Sequence, residues 1–384
     1  MAQHCPLRAR RAPRLRPALP LLLLLAALAC APGPAAPPSA PLPTSGAPPA
    51  ATSEARPAAP APAAASAPSA PPVGARPEKE TLEVAEAGTS STNLPLHVAV
   101  DAGYFQRHGL SINLSVVAAN VAVQGLISNT IDIYQGGTAT VGGRLGGADL
   151  VYLAALVDRS SLTLFGERGL STFADFRGKS IATTAVGAFG DIALHHTARE
   201  YGMVPGQDFE IRYHPGPAPA SATFRTGGTQ GVIITPPQST ELAHAGYPAV
   251  VDYYQQGLKI IGPATAVTRT FAREHPNTLR AYFRAILDGI RRCIDDRDYA
   301  MTVHAKYAQI DDPRVLADDY EVGLRLWNRD MTVDPASIAI VLDSSPLPNA
   351  RDANLADFYD NSLISEVNAT YAAALFPEGL RAGR

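Results

Sequence analysis

Four short segments rich in glycine, serine and threonine each follow a short apolar run. They cover residues 88–93, 135–138, 184–191 and 235–238. Backbone N–H groups at the start of a helix have no partner within the helix, and together they can bind a carboxylate, sulfonate or phosphate group. The four segments therefore predict a binding site for a small molecule.

The segment 184–191 carries Gly187 and Gly190 directly before a helical pattern. We predict ligand contacts along it, and the alternative is a turn that needs glycine for its flexible φ. Asp191, in the first helical turn, either complements the helix dipole or pairs with an amine on the ligand. The predicted contacts are Thr184, Gly187, Ala188, Phe189, Gly190 and Asp191.

The other three segments offer hydroxyl and amide groups. Each either caps the helix that follows it or faces the ligand, and Thr138 is the favoured single polar contact. Thr235 precedes two prolines that restrict its loop. The predicted contacts are Ser91, Thr92 and Asn93 in the first segment, Gln135, Gly137 and Thr138 in the second, and Thr235 in the last.

The elements that must position these residues alternate between short apolar runs and helical patterns, which predicts an α/β fold with parallel sheets and crossover helices. Two similar sets occur in series. The predicted strands are 81–85, 111–117, 131–134 and 150–156, then 162–165, 180–183, 209–213 and 231–234. The predicted helices are 94–108, 121–128 and 188–201, a helix that begins at Pro276, then 315–325, 334–342 and 355–368.

The N-terminal 80 residues differ from the rest. Five arginines precede an apolar stretch that is too short to span a bilayer, so residues 1–29 are predicted to be a signal peptide. Cys30 follows Ala29 and is the expected site of lipid attachment, with ordinary cleavage as the alternative. Residues 30–80 are rich in proline and alanine and predict a disordered linker.

Composition excludes several classes of function. Without the predicted leader the chain has 27 basic and 35 acidic residues, which argues against nucleic acid as a partner. Cys293 is the one cysteine after residue 30, so a cysteine-based metal site or an internal disulfide is excluded. His195 and His196 are adjacent, so they cannot chelate one metal as residues three or four apart would. We expect no metal, no cofactor and no catalytic residues.

Several motifs in this order resemble the periplasmic substrate-binding proteins of ABC importers, in the branch that covers sulfonate, taurine, nitrate and thiamine-pyrimidine binders (SsuA/THI5-like, NMT1-like). They are Ala102-Gly103-Tyr104-Phe105 with His108-Gly109-Leu110, Ile131-Asp132 before Gly136-Gly137-Thr138, residues 173–179, and Glu274-His275-Pro276.

The resemblance implies a two-lobed Venus flytrap, with two doubly wound sheets joined by a hinge and a C-terminal helical layer on the first lobe. We expect residues 81–158 and 262–384 to form the first lobe and 159–261 the second. It also implies that the protein binds a small organic molecule in the cleft and delivers it to a permease driven by an ATPase. Together with the predicted leader and Cys30, we expect a monomeric envelope protein that is lipid-anchored at Cys30.

The crossings between the lobes supply further candidates. Asp158 and Arg159 lie at the first, and Tyr253 and Tyr254 near the second, where they either contact the ligand or hold the hinge. An aromatic or pyrimidine ligand would stack on Tyr253, Tyr254 or Phe189, whereas a sulfonate would use arginine, and Arg144, Arg159 and Arg225 are available. Two other functions stay open: a sensor that docks on a signalling receptor, and an enzyme of thiamine or menaquinone biosynthesis on the same fold.

Overall fold

The computed structural model describes residues 75–345 and 347–380. The predicted signal peptide, Cys30 and most of the predicted linker lie outside these residues. Within the described part of the chain, no helix is both long and apolar enough to cross a membrane.

The described residues contain ten strands in two five-stranded sheets. The first sheet contains β1 (Thr81–Glu86), β2 (Ser111–Val116), β3 (Ile133–Gly136), β4 (Leu150–Ala155) and β10 (Ala264–Thr268). The second contains β5 (Thr163–Gly166), β6 (Ser180–Thr183), β7 (Glu210–Tyr213), β8 (Gly231–Ile234) and β9 (Ala249–Asp252).

The two sheets have the same arrangement of strands. Their orders are β2-β1-β3-β10-β4 and β7-β6-β8-β5-β9. In each sheet the first three strands are parallel, and the fourth, β10 or β5, runs antiparallel to both of its neighbours. The predicted similarity of the two sheets and the parallel pairing of three strands in each are confirmed. The antiparallel strand was not predicted, and it arises because one strand of each sheet enters directly from the other lobe.

Helices cover the sheets and form the C-terminal third. They are α1 (Leu94–Asp101), α2 (Tyr104–Arg107), α3 (Ala119–Ile127), α4 (Ala139–Leu145), α5 (Phe189–Glu200), α6 (Pro217–Arg225), α7 (Gln238–His244), α8 (Arg269–Glu274), α9 (Pro276–Asp295), α10 (Arg297–Ala308), α11 (Pro313–Leu326), α12 (Pro335–Ser344), α13 (Ser362–Val367) and α14 (Ala373–Leu375). Single 3₁₀ turns lie at Ser91–Asn93, Phe173–Phe176, Pro348–Ala350 and Leu355–Asp357, and a π-helical turn at Asn368–Ala372.

Local chemistry accounts for the differences from the predicted helices. The predicted helix 94–108 is interrupted at Gly103, whose φ of 70° is left-handed, so the chain forms α1 and α2 instead. The predicted helix 355–368 is a 3₁₀ turn, a loop and α13. The prediction did not include α4, which carries two glycines, or α6, which carries two prolines, because both residue types weaken a helical pattern.

The first-lobe core lies between its sheet and the long helix α9, which begins at Pro276 as predicted and has a buried apolar face. Gly289 allows α9 to approach α1 closely, since a Cβ at this position would lie 2.1 Å from the carbonyl oxygen of Pro95. Cys293, on the same face, is fully buried, and burial raises the pKa of its thiol well above the usual value.

We call the first sheet with α1–α4 and α8–α14 the first lobe, and the second sheet with α5–α7 the second lobe. The chain passes between them after β4 and after β9, and the two crossing segments pair with each other. Arg159 and Lys259 form an antiparallel bridge, and the N–H of Gly262 donates to the carbonyl of Val157 (3.0 Å). This two-stranded connection is the hinge of the fold.

Residues 76–80, which the sequence places in the linker, lie against the first lobe. The Glu78 carboxylate accepts hydrogen bonds from the N–H groups of Asn277 (3.0 Å) and Thr278 (2.8 Å) at the start of α9. The ammonium group of Lys79 lies 2.7 Å from Asp132 Oδ1. These contacts join residues that are far apart in the sequence. The end of the predicted linker, which was drawn from composition alone, therefore misses them.

Candidate functional site

The four predicted segments follow β1, β3, β6 and β8, at the carboxyl ends of the parallel strands of both sheets. In open α/β sheets, ligands bind at such ends. The segments of the two lobes meet directly, because Thr138 Oγ1 in the first lobe donates a hydrogen bond to the Gly187 carbonyl in the second (3.0 Å). The structure therefore brings two of the predicted segments together in one cleft.

Ser91 is fully buried and belongs to a polar network. Its Oγ donates to Asp319 Oδ1 on α11 (2.5 Å), while Asp319 Oδ2 lies 2.7 Å from Nε2 of His304 on α10. The indole N–H of Trp327 donates to the Ser91 carbonyl (2.9 Å). The Ser91 hydroxyl is thus already paired with Asp319, and the C-terminal helices position this part of the site.

Thr92 and Asn93 complete the first segment and are both buried. Thr92 Oγ1 lies 2.7 Å from Ser90 Oγ, and Asn93 Nδ2 donates to the Gly88 carbonyl (3.1 Å). No side chain of this segment forms a hydrogen bond that caps α1. The capping alternative for these residues is therefore wrong in this structure.

The second segment lies close to the hinge. A Cβ on Gly137 would lie 2.9 Å from the carbonyl oxygen of Ile261, so glycine is required by the approach of the returning crossing segment. The Gly137 carbonyl accepts a hydrogen bond from Tyr152 (2.6 Å). Gln135 is fully buried, and its Oε1 accepts from Thr265 Oγ1 (2.9 Å). Thr138 makes the contact between the lobes instead of capping α4.

In the third segment, Asp191 closes the loop on itself. Its Oδ2 accepts from the N–H of Gly187 (2.7 Å) and its Oδ1 from Tyr213 (2.8 Å), while His195 Nε2 lies 3.5 Å away. Burial raises the pKa of Asp191, but hydrogen bonds from His195, Gly187 and Tyr213 outweigh it, so the pKa lies below the usual value. The Gly187 N–H, which was predicted to bind an anionic ligand group, therefore already donates its hydrogen bond to the Asp191 carboxylate.

Asp191→Asn should lower the free energy of unfolding at pH 7 by about 1.5–3 kcal/mol, the typical contribution of hydrogen bonds to a charged group. Because the folded-state pKa lies below the unfolded value of 3.8, the stabilisation is complete above that value and is lost as the pH falls through the folded-state pKa. Urea titrations between pH 7 and pH 3 should show the two proteins converging in acid. The exposed Asp352→Asn is the control, and a difference that persists in acid would contradict the prediction.

Phe189 and Gly190 begin α5 beside the cleft. Phe189 is half-buried and packs against core residues of both lobes. Gly190 lets α5 start close to β6, because a Cβ there would lie 2.3 Å from Thr183 Oγ1. Ala188 precedes the helix with extended backbone, and Thr184 is half-buried. The third segment therefore carries both the apolar contact of Phe189 with the two lobes and the polar groups around Asp191.

The remaining candidates are distributed along the hinge and the cleft. Asp158 is buried in the first crossing segment, and its carbonyl accepts from the N–H of Ile260 (3.2 Å). Thr235 is half-buried after β8. Tyr253 is fully buried, with its hydroxyl 2.9 Å from Thr197 Oγ1, so its ring is not available for stacking. Tyr254 is half-buried, with the guanidinium carbon of Arg325 5.5 Å from its ring centroid, and it stays in the stacking hypothesis with Phe189.

Two of the three arginines considered for a sulfonate already have partners. Arg144 pairs with Asp149 (2.7 Å) and Arg225 with Glu241 (3.3 Å). The bridge of Arg159 to Lys259 is a backbone contact, so it does not occupy the Arg159 guanidinium group. Arg225 and Glu241 also line a cavity of about 440 Å³ between α7 and the loop that joins α10 to α11. At this end of the cleft His244 Nε2 of the second lobe lies 2.6 Å from Asp318 Oδ2 of the first.

Sequence reasoning missed Glu86, the last residue of β1. Its side chain is fully buried, and its Oε1 lies 2.8 Å from Nε2 of His97, which is also fully buried. A carboxylate at the end of a buried strand, directly before the first polar segment, is the signal that could have identified it. Asp319 and His304 were missed because they are distant in sequence from the loop that they hold.

Comparison with known proteins places these features in context. The model of the family NMT1/THI5 like matches residues 91–300. A comparison with curated proteins finds no match to this chain.

Three solved structures share the fold. A protein of Bordetella bronchiseptica RB50 has 19% identity and a TM-score of 0.67, covering 77% of this chain and 99% of that protein. The periplasmic aliphatic sulphonate binding protein SsuA of Escherichia coli has 19% identity and a TM-score of 0.56, covering 64% and 84%. The periplasmic nitrate-binding protein NrtA of Synechocystis PCC 6803 has 14% identity and a TM-score of 0.60, covering 78% and 90%. The fold is therefore that of the periplasmic binding proteins.

Proposed function

The chain belongs to the NMT1/THI5-like family, and from this membership we propose that it is an exported solute-binding protein that captures a small organic molecule between its lobes. The observation that carries the proposal is the hydrogen bond from Thr138 of the first lobe to the Gly187 carbonyl of the second. Loops that both follow parallel strands meet there, which is the place where this architecture binds ligands.

Closure of the lobes about the paired crossing segments is the proposed working motion. A ligand favours the closed form by as much as its affinity for that form exceeds its affinity for the open one. The pair His244 and Asp318, at 2.6 Å, and the apolar contact of Phe189 with both cores also form across the lobes and support a closed state. Delivery to a permease and its ATPase, by a monomer held at a membrane through Cys30, completes the proposal.

The described residues give an enzymatic alternative little support. A serine nucleophile needs a base that is hydrogen-bonded to its hydroxyl. Ser91 Oγ instead donates to Asp319, with His304 on the far side of that carboxylate. Cys293 is buried and its thiol pKa is raised, so its thiolate is disfavoured. The sensor alternative uses the same cleft, and a pull-down of the partner would distinguish it from the importer.

The proposal is tested by native mass spectrometry of the full chain purified from its host, followed by thermal unfolding with sulfonates, nitrate, pyrimidines and aromatic acids. At one hundred times its dissociation constant a ligand should add about 2.7 kcal/mol to the free energy of unfolding. For lobes of this size that raises Tm by roughly 5 °C. A bound small molecule, or such a shift without turnover, is the expected result, whereas turnover of a compound or the absence of both signals would overturn the proposal.

A further inference from the structure

Glu86 occupies an unusual place for a carboxylate. It ends β1, is fully buried, and uses one oxygen to contact His97 (2.8 Å). Among residues 75–345 and 347–380, its second oxygen, Oε2, has no hydrogen-bond partner. A buried carboxylate oxygen without a partner costs free energy, so an unpaired one at the carboxyl end of a parallel strand, the end at which this type of fold binds ligands, indicates a missing donor.

The imidazole and phenol groups next to Glu86 do not supply that donor from their present positions. The imidazole of His97 is stacked on Tyr307, with ring centroids 4.3 Å apart and 5° between the planes. Burial and the nearby Glu86 carboxylate raise the pKa of Tyr282, which keeps its hydroxyl protonated, but that hydroxyl donates to Gln135 Oε1 (3.3 Å). The nearest aromatic and imidazole groups are therefore fixed in other contacts.

Gln135 lies beside Glu86 and has an unpaired hydrogen-bond donor where Glu86 has an unpaired acceptor. The two residues are register partners on the adjacent strands β3 and β1, which places their backbones about 5 Å apart. Oε1 of Gln135 accepts from Thr265 and Tyr282, so its amide nitrogen points elsewhere and has no partner within the described part of the chain. An unpaired acceptor and an unpaired donor thus stand side by side at the carboxyl ends of the neighbouring strands β1 and β3.

Asn93 adds a second acceptor from the loop that follows β1. Its Nδ2 donates to the Gly88 carbonyl (3.1 Å), while its buried Oδ1 has no partner among the described residues. Glu86, Asn93 and Gln135 belong to the ends of β1 and β3 and to the loop at Ser91–Asn93, which are first-lobe parts of the candidate site. Three separate residues there leave a polar atom unpaired.

We propose that Glu86 is a specificity-determining residue of the ligand site, and that with Asn93 and Gln135 it selects an uncharged or cationic ligand carrying an N–H donor next to an acceptor. The ligand N–H groups donate to Glu86 Oε2 and Asn93 Oδ1, and its acceptor receives the Gln135 amide. The buried carboxylate repels an anion that brings no donor. This inference rests on the proposed solute-binding function.

The test uses probes of matched shape on the full chain: benzamidine, benzamide and benzoate, with benzenesulfonamide against benzenesulfonate as a second pair, added to the panel of compounds above. Calorimetry and thermal unfolding should show higher affinity for benzamidine and benzamide than for benzoate, and for benzenesulfonamide than for benzenesulfonate. Glu86→Gln keeps an oxygen for His97 but presents an amide to the ligand, so it should weaken the best donor-bearing compound by about 10- to 100-fold. Glu83→Gln, on the exposed face of the same strand, is the matched control and should leave affinity within twofold.

Each other result overturns the inference. The inference is wrong if the strongest binder is a donor-free anion such as benzoate, nitrate or benzenesulfonate. It is also wrong if Glu86→Gln binds the best compound as tightly as the wild-type chain does. Should Glu86→Gln fail to fold, the ranking of the wild-type chain alone decides. Binding of anions only would overturn the donor requirement and leave the solute-binding function standing, whereas no bound molecule and no response to any compound would overturn both.

Discussion

Asp319→Ala should lower the free energy of unfolding by about 2–6 kcal/mol, because it leaves two buried polar groups unpaired and each costs about 1–3 kcal/mol. The carboxylate is fully buried and accepts from Ser91 (2.5 Å), with His304 at 2.7 Å, so its loss leaves two buried polar groups unpaired. The loop at Ser91–Asn93 should also lose its position, which weakens ligand binding. Trp327 is the single tryptophan of the chain and bonds this loop, so its fluorescence reports the change during a urea titration.

The neighbouring residue provides a matched control. Asp318 is 56% exposed and pairs with His244 of the second lobe (2.6 Å). Exposed pairs contribute roughly 0–1 kcal/mol, so Asp318→Ala should change stability little. Equal losses in the two variants would show that burial of the Ser91 network is not what stabilises this part of the first lobe.

Gly137→Ala should destabilise the protein by about 1–3 kcal/mol and weaken ligand binding at least tenfold, since overpacking forces backbone shifts. Its Cβ would lie 2.9 Å from the Ile261 carbonyl oxygen and 3.3 Å from that of Gly262, and neither is a flexible side-chain end. Relief of the overlap moves the segment that carries Thr138, and with it the hydrogen bond to Gly187. Thermal unfolding and calorimetry with the best compound of the panel measure the two effects.

Gly142→Ala is the control for this substitution. Gly142 lies within α4, and a Cβ there meets no atom within 4 Å. Alanine in a helix interior is favoured over glycine by roughly 0.5–1 kcal/mol, so this variant should unfold at a slightly higher temperature with unchanged affinity. If Gly137→Ala unfolded at the same temperature as Gly142→Ala, the close approach of the crossing segment would not constrain the site.

The sequence was most informative where signals are local. Strands β6 and β8 have the predicted bounds, because glycine or proline residues close to their ends mark where these short runs begin or end. The strand β10 was not predicted, although Ala264–Thr268 lies centrally in the first sheet. Its place depends on the return of the chain from the second lobe, which no local pattern encodes.

The hydrogen-bond partners of the site residues could likewise not be predicted from local sequence patterns. Glycine and hydroxyl residues marked the loops, but the partner of Ser91 lies 228 residues away on α11. Asp191 lies in the first turn of α5, where it was predicted to complement the helix dipole or to meet an amine, and its hydrogen bonds to Gly187 and Tyr213 were not predicted. Residue types predicted where polar groups gather, whereas tertiary packing determines which of them are already paired.

The contacts of Glu78 and Lys79 determine how the protein responds to force. A pull on the chain that precedes them is resisted by the hydrogen bonds of Glu78 to the start of α9 and by the ion pair of Lys79 with Asp132. Both sets of contacts lie on the first lobe. Tension applied to the chain before Glu78 would therefore load the first lobe directly and would not act across the paired crossing segments.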